Sequence, residues 1–172
     1  MRDGPALRLA NARLETPGDL LGLIAEGGEV EAAVAGEVAL RLGDFGRLRD
    51  AMRELFEASI GGGPFPAAAV ERLNEASERV PRVLRLDPAE RVAVEQPVAG
   101  GPTAKLLAAA ARSGIELLGG DDRYRLRRCP ACGRFFLAGR GDRRWCSAAC
   151  GNRTRVARHY ARRRTNAEGA PR

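Results

Sequence analysis

The chain has 172 residues, 44% of them hydrophobic, and a formal net charge of +7. That length and apolar content allow one medium domain, or a domain with a small appendage, to bury a core without staples. No apolar run approaches the ~20 residues of a membrane span, and the N-terminus lacks the apolar stretch of a secretion signal, so a cytoplasmic protein with no membrane partner is expected.

Taken in chain order, LRLANARLET (7–16) alternates apolar and polar residues and predicts a short strand. Thr16-Pro17 reads as a cap and first helical position, with a helix through about Glu26. Residues 36–60 are expected to be largely helical, because Leu48, Met52, Leu55, Phe56 and Ile60 recur at three- and four-residue spacing. GGGPFP (61–66) stops that helix, and Pro66 starts another over 66–80 with Val70, Leu73, Ala76 and Val80 on its inner stripe. RVLRLD (82–87) and RVAVEQ (91–96) suggest a hairpin across Pro88 and Glu90. TAKLLAAAARSGIELL (103–118) is a helix by propensity. Gly119-Gly120-Asp121-Asp122 then forms a linker, and no repeat of domain size is present.

Composition changes sharply at Asp122. Residues 123–164 hold 14 arginines against one acid, Asp142, a net of +13, whereas the rest holds 15 basic against 21 acidic residues, a net of −6. An acidic body with a basic C-terminal part points to a polyanionic partner.

The same segment carries all four cysteines, Cys129, Cys132, Cys146 and Cys150, in the spacing C-x2-C-x13-C-x3-C. This is close to a four-cysteine zinc signature. Cys129 and Cys132, followed by Gly133, fit a sharp knuckle, and Cys146 and Cys150 share one face of a helical turn. Four thiolates close a tetrahedron around Zn2+ and leave no open position for a substrate. The rival readings are a redox Cys-x-x-Cys, which needs a βαβ pattern that is absent, and two disulfides, which a cytoplasmic setting disfavours.

If 147–163 is helical, Val156 and Tyr160 face inward, and Arg155, Arg158 and Arg162 form a stripe on another face. Trp145, Phe135 and Phe136 pack a small core around the metal, with base stacking as the alternative. His159 is a surface or phosphate-contacting residue, since four cysteines already satisfy the ion. Gly151 permits a close approach of the helix to the hairpin or to a phosphate. Asn152 either hydrogen-bonds the knuckle backbone or reads an adenine edge, and Arg153 either braces the metal loop or binds phosphate. Because these residues abut a ligand, the bracing roles are favoured.

The expected fold class is α+β: a mainly helical N-terminal domain with a few short strands (1–122), a small C-terminal four-cysteine zinc finger built as a hairpin followed by a helix (123–164), and a flexible tail (165–172). RRWCSAACGNRTRVARHYARRR, with CPACGRFFL upstream, resembles the CGNR zinc finger, named for the residues that stand here as Cys150, Gly151, Asn152 and Arg153. The resemblance covers about residues 125–164. It implies an N-terminal ABATE domain, the pair being described as a stress-induced transcription regulator. LRLANARLETPGDLL and ERLNEA resemble the start and middle of that domain, with Asn11-Ala12 where the family usually has Asn-Thr.

These readings converge on a non-enzymatic, zinc-dependent DNA-binding regulator, nucleoid-associated when bound. Asn152, Arg153, Arg155, Arg158, His159, Arg162, Arg163 and Arg164 are the candidate nucleic-acid contacts. An RNA-binding module and a scaffold docking an acidic protein are the alternatives. A homodimer through helices 36–60 and 103–118, and a small-molecule effector of the N-terminal domain, complete the expected partners.

Overall fold

The computed structural model describes residues 4–25, 32–98, 100–139 and 143–168; the side chains of residues 25, 32–36, 38, 39 and 162–168 lie outside that description. The described body is built on helices α1 (Pro5–Ala10), α2 (Pro17–Ala25), α3 (Ala32–Gly61), α4 (Ala67–Glu78) and α5 (Pro102–Gly119). A hairpin, β1 (Arg82–Asp87) and β2 (Val92–Pro97), lies between α4 and α5. A 3-10 turn at Asp121–Arg125 leads into a second hairpin, β3 (Leu126–Arg128) and β4 (Phe135–Leu137), and the chain continues as α6 (Ala148–Glu168).

The strand expected at 7–16 is instead α1. Pro5 supplies the preset φ of a first helical turn, and Ala6, Leu7, Leu9 and Ala10 are all buried. α1 packs against both α3 and α5. A short helix covered on more than one side has no polar stripe, so its sequence imitates strand alternation. α2 begins where expected, because Thr16 and Asp19 form a reciprocal cap. The Asp19 amide donates to Thr16 Oγ1 at 3.2 Å, and the Thr16 amide donates to Asp19 Oδ2 at 2.8 Å.

α3, α4 and α5 enclose the core. Phe45, Leu48, Ala51, Met52, Leu55 and Phe56 line the inner face of α3, while Ile60 at its end is 38% exposed. Each large side chain buried there contributes about 1.5–3 kcal/mol. Leu73 and Ala76 of α4, Val80 just beyond it, and Leu107, Ala111 and Leu118 of α5 are buried as well. A Cβ at Gly114 would lie 3.3 Å from both Leu73 Cδ1 and Met52 Cε, so the missing side chain lets the three helices close together. Arg112 of α5 donates to the carbonyls of Ser77 (2.9 Å) and Val80, which satisfies the C-terminal end of α4.

β1 and β2 pair antiparallel from Arg82↔Pro97 to Asp87↔Val92. Asp87 Oδ1 accepts from the amides of Ala89 and Glu90, and Arg91 adopts φ +54 to close the turn. Leu84 and Leu86 are 70% and 73% exposed, so this hairpin projects from the body.

The second hairpin divides two cores. Its register, Leu126↔Leu137, Arg127↔Phe136 and Arg128↔Phe135, places Leu126, Phe135 and Leu137 on one face and Phe136 with Arg127 on the other. The first face joins the body core, and Phe135 meets Phe56 edge-on with ring centroids 5.4 Å apart. Phe136 turns to a separate cluster with Ala138, Cys129, Cys150 and Trp145. Of the three aromatics expected around the metal, Phe136 and Trp145 are there; Phe135 belongs to the body, because adjacent strand residues point to opposite faces.

Candidate metal centre

The four cysteines arrive from two directions. Cys129 follows β3, and the chain turns back at once. The Gly133 amide donates to the Cys129 carbonyl at 2.8 Å, and the Cys129 amide donates to the Arg134 carbonyl at 2.8 Å. Gly133 stands at φ +74, a conformation that side-chain-bearing residues resist. This knuckle holds Cys129 and Cys132. The other two sulfurs come from the start of α6, where Ser147 Oγ accepts from the Cys150 amide at 3.2 Å and caps the helix. Cys146 and Cys150 flank that cap, close to the positive end of the helix.

All four sulfurs lie within 4.8 Å of one another. Cys132 and Cys146 are 3.5 Å apart, and Cys146 and Cys150 are 3.7 Å apart. Four sulfurs about 2.3 Å from one tetrahedral ion sit about 3.8 Å from each other. The cluster therefore has the dimensions of a single metal site. Cys129 and Cys150 are buried, Cys146 is half-buried and Cys132 is exposed.

The crowding of the thiols shapes their ionisation. Burial pushes the Cys129 thiol up, but the backbone amides of Cys146, Ala131 and Cys132 and the Cys132 thiol outweigh it and bring it well below its ordinary value. Burial, hydrogen bonds from the other three thiols and the charge on Cys129 push Cys146 up. Like charges so close resist joint ionisation, and a divalent cation at the centre removes that conflict.

The packing beside the ligands is specific. Gly151 is buried against Trp145, where a Cβ would sit 3.5 Å from the indole ring. The close approach expected of this glycine is thus to the tryptophan. Thr154 Oγ1 donates to the Cys150 carbonyl at 3.0 Å. Asn152 does not reach the knuckle; its Oδ1 accepts from Arg155 at 2.8 Å on the exposed surface. Arg153 is exposed.

Beyond Thr154 the helix leaves the protein. Residues 155–161 are exposed on every side. Val156 and Tyr160, expected to face inward, are 54% and 60% exposed, because among the described residues no element packs extensively against α6. Arg158 and His159 are exposed, and the His159 ring meets Tyr160 edge-on at 5.8 Å. The backbone of Arg162, Arg163 and Arg164 is helical, and their side chains lie outside the described residues. The helix continues to Glu168, past the point at which a tail was expected, and residues 169–172 lie outside the description.

Sequence reading missed the residues that fasten this unit to the body. Asn11 bonds both backbone groups of Phe135; Arg53 lies over the Phe135 ring at 5.4 Å and donates to the Ala10 carbonyl at 2.8 Å; Arg128 pairs with Glu57 at 3.0 Å. Nothing in local pattern marks these roles, since each depends on a partner far away in sequence.

A search of curated proteins finds no match. Residues 3–121 match the model of the ABATE family, described as "Putative stress-induced transcription regulator", and residues 125–163 match that of the CGNR zinc finger. The chain belongs to the ABATE family and carries a CGNR zinc finger after its helical body.

Proposed function

We propose that the chain is a zinc-dependent, DNA-binding transcription regulator that grips duplex DNA with α6. The observation that carries this reading is the helix itself. Residues 155–161 are all exposed, the helix displays Arg155, Arg158 and His159 there, and Glu168 is its sole acid. An exposed helix crowded with like charge is held poorly by its own chain and well by a polyanion. An α-helix also fits the roughly 12 Å width of the major groove.

Zinc is the ion that suits four soft thiolates in a closed tetrahedron. It ties the first turn of α6 to the knuckle, so the angle at which the helix leaves the body is fixed by the metal. With every coordination position taken by sulfur, the ion has a structural role and the chain no catalytic one. Two copies acting together supply the contact area that one finger lacks. A cavity of 280 Å³, lined by Leu9, Leu23, Ile24, Phe45 and Leu106 with Arg8 in its wall, is the place in the body for a small apolar effector.

The test is a competition between duplex DNA and structured RNA for the zinc-loaded chain at matched salt, followed by genome-wide occupancy. Preference for duplex DNA supports the reading. Preference for RNA, or indifference to both at moderate salt, overturns it.

A further inference from the structure

A second basic surface is built from residues outside α6. At the β3–β4 hairpin, a cleft of 520 Å³ is lined by Tyr124, Arg125, Arg127, Arg128, Arg143 and Arg144, and no acid among the described residues lines it. Five guanidiniums around one hollow repel one another, so the protein bears a cost that an anion would relieve. Arg125 is paired with Asp122 at 2.6 Å and Arg128 with Glu57 at 3.0 Å. Arg127, Arg143 and Arg144 have no carboxylate partner among the described residues.

All of these guanidiniums except that of Arg144 are also held in place. Arg125 Nε donates to the Ala138 carbonyl at 2.9 Å, and one terminal nitrogen of Arg127 donates to the carbonyls of Tyr124 and Leu126 at 2.7 and 2.8 Å. Arg143 lies over the Phe136 ring at 5.3 Å. Tyr124 is itself pinned under Arg123, whose guanidinium sits 4.4 Å from the ring centroid. Each anchored guanidinium keeps further N–H donors free, and its anchor reduces the side-chain ordering that binding a ligand would cost.

We propose that this cleft is a phosphate site that takes a run of linked phosphates. One carboxylate would engage a single guanidinium fork, whereas a phosphate chain offers acceptors and charge along its length and engages several together. Two sources share that chemistry: the backbone of a bound nucleic acid and a free polyphosphate group. The site does not depend on α6 or on the DNA-binding reading.

The test uses the full metal-loaded chain, with Arg144→Ala and the double variant Arg143→Gln/Arg144→Ala, and Arg158→Ala as the α6 control. Arg144 makes no hydrogen bond within the described protein, so its variant keeps the fold; metal content and melting temperature verify this for each protein. In one arm, inorganic tripolyphosphate is titrated calorimetrically at low salt. The expected result is at least about a tenfold loss of affinity in the double variant and no change in Arg158→Ala. In the other arm, duplex DNA binding is measured across salt. A slope of log K against log salt that becomes shallower by about 0.9 for each phosphate no longer neutralised identifies the nucleic-acid backbone as the source. An unchanged slope with weakened tripolyphosphate affinity identifies the free group. Tripolyphosphate binding to a wild-type chain that ignores DNA leaves the cleft standing and removes the proposed function. Cleft variants that match wild type in both arms overturn the proposal.

Discussion

Asn11 and Phe135, 124 residues apart, exchange two hydrogen bonds: Asn11 Nδ2 donates to the Phe135 carbonyl at 2.8 Å, and the Phe135 amide donates to Asn11 Oδ1 at 2.8 Å. The side-chain amide thus pairs with β4 as a neighbouring strand would, and fastens the metal-bearing hairpin to the end of α1. Phe56, Arg53 and the Arg128–Glu57 pair close the same joint. Replacing Asn11 by Ala leaves two part-buried backbone groups unpaired, at about 1–3 kcal/mol each when water cannot reach them. A thermal melt is expected to fall by roughly 5–10 °C. Asn11→Asp, which keeps an acceptor for the Phe135 amide but loses the donor, should fall by less. Equal melting of Asn11→Ala and wild type would show that the joint contributes nothing.

Metal removal is expected to reach the body. Leu126 and Phe135 sit in the same apolar cluster as Met52, Leu55 and Phe56, so the hairpin that the metal organises is also part of the body core. We expect one zinc ion per chain by metal analysis. Chelation, or Cys146→Ser, should abolish α6 ellipticity and also lower the melting temperature of the helical body. Gly133→Ala should weaken metal binding with the four cysteines intact, since left-handed backbone at φ +74 costs a residue with a side chain about 1–2 kcal/mol. A body that melts identically with and without metal would contradict the shared core.

How much of this was legible follows from the range of each interaction. The cysteine spacing, the Thr16 cap, the hairpin connection across Pro88 and Glu90 and the apolar stripe of α3 are local, and the structure has them where periodicity and turn chemistry put them, with Arg91 joining the turn rather than the second strand. α1 was not legible, because packing against both α3 and α5 erases the polar stripe by which a helix is recognised. Phe135 and Phe136 were visible as an aromatic pair, but their division between two cores depends on the register of β3 with β4. Val156 and Tyr160 were misplaced because helical spacing shows which residues share a face, and says nothing of whether another element covers it. The arginines at 123–128 and 143–144 were visible as charge; only the folded hairpin brings them around one cleft.

Acid should weaken a charge network at the outer edge of α3. Asp44, whose side chain is 15% exposed, accepts from Arg41 at 3.1 Å and pairs with Arg47 and Arg79. Burial raises its carboxyl, but the bonds from Arg41 and Arg47 and the charge of Arg79 outweigh that and hold it below the ordinary 3.8. A depressed folded-state value means that the stabilisation is full above about pH 4 and fades as pH falls through the lower folded value. Asp44→Asn should therefore cost about 1 kcal/mol near neutrality, and its deficit against wild type should close below about pH 4. A deficit independent of pH would assign the effect to packing.

Salt should control the DNA affinity proposed for α6. If about five phosphates are neutralised, log K falls against log salt with a slope near −4.5. Arg158→Ala should make that slope shallower by about one and weaken binding to most sequences alike, as expected of a phosphate-binding side chain. Arg155→Ala also frees Asn152, so it should change sequence preference as well if Asn152 then turns to a base edge. A slope near zero for wild type would remove the electrostatic mechanism.

The acting species is expected to be a dimer. A single finger covers roughly 600–1,000 Å² of protein surface on DNA, which rarely sustains specific binding at physiological salt, and two copies reading half-sites about one helical turn apart would double it. The apolar faces of α3 and α5 are the surfaces that periodicity suggests, but Leu48, Met52, Leu55 and Phe56 on one and Leu107, Ala111 and Leu118 on the other are buried within the chain. The projecting β1–β2 hairpin is the better surface. Leu84 and Leu86 stand open on β1, whose Arg85 and Asp87 would oppose each other across an antiparallel pairing of two β1 edges centred on Leu86. Such pairing would also cover an edge that otherwise invites uncontrolled association. Sedimentation across the working concentration range should show a dimer for wild type and a monomer for Leu84→Lys/Leu86→Lys. The variant should keep its metal and its melting temperature, and should lose affinity for paired half-sites far more than for a single one. A wild-type monomer that binds one short site tightly and specifically would remove the need for a second copy, and the hairpin would then require another partner.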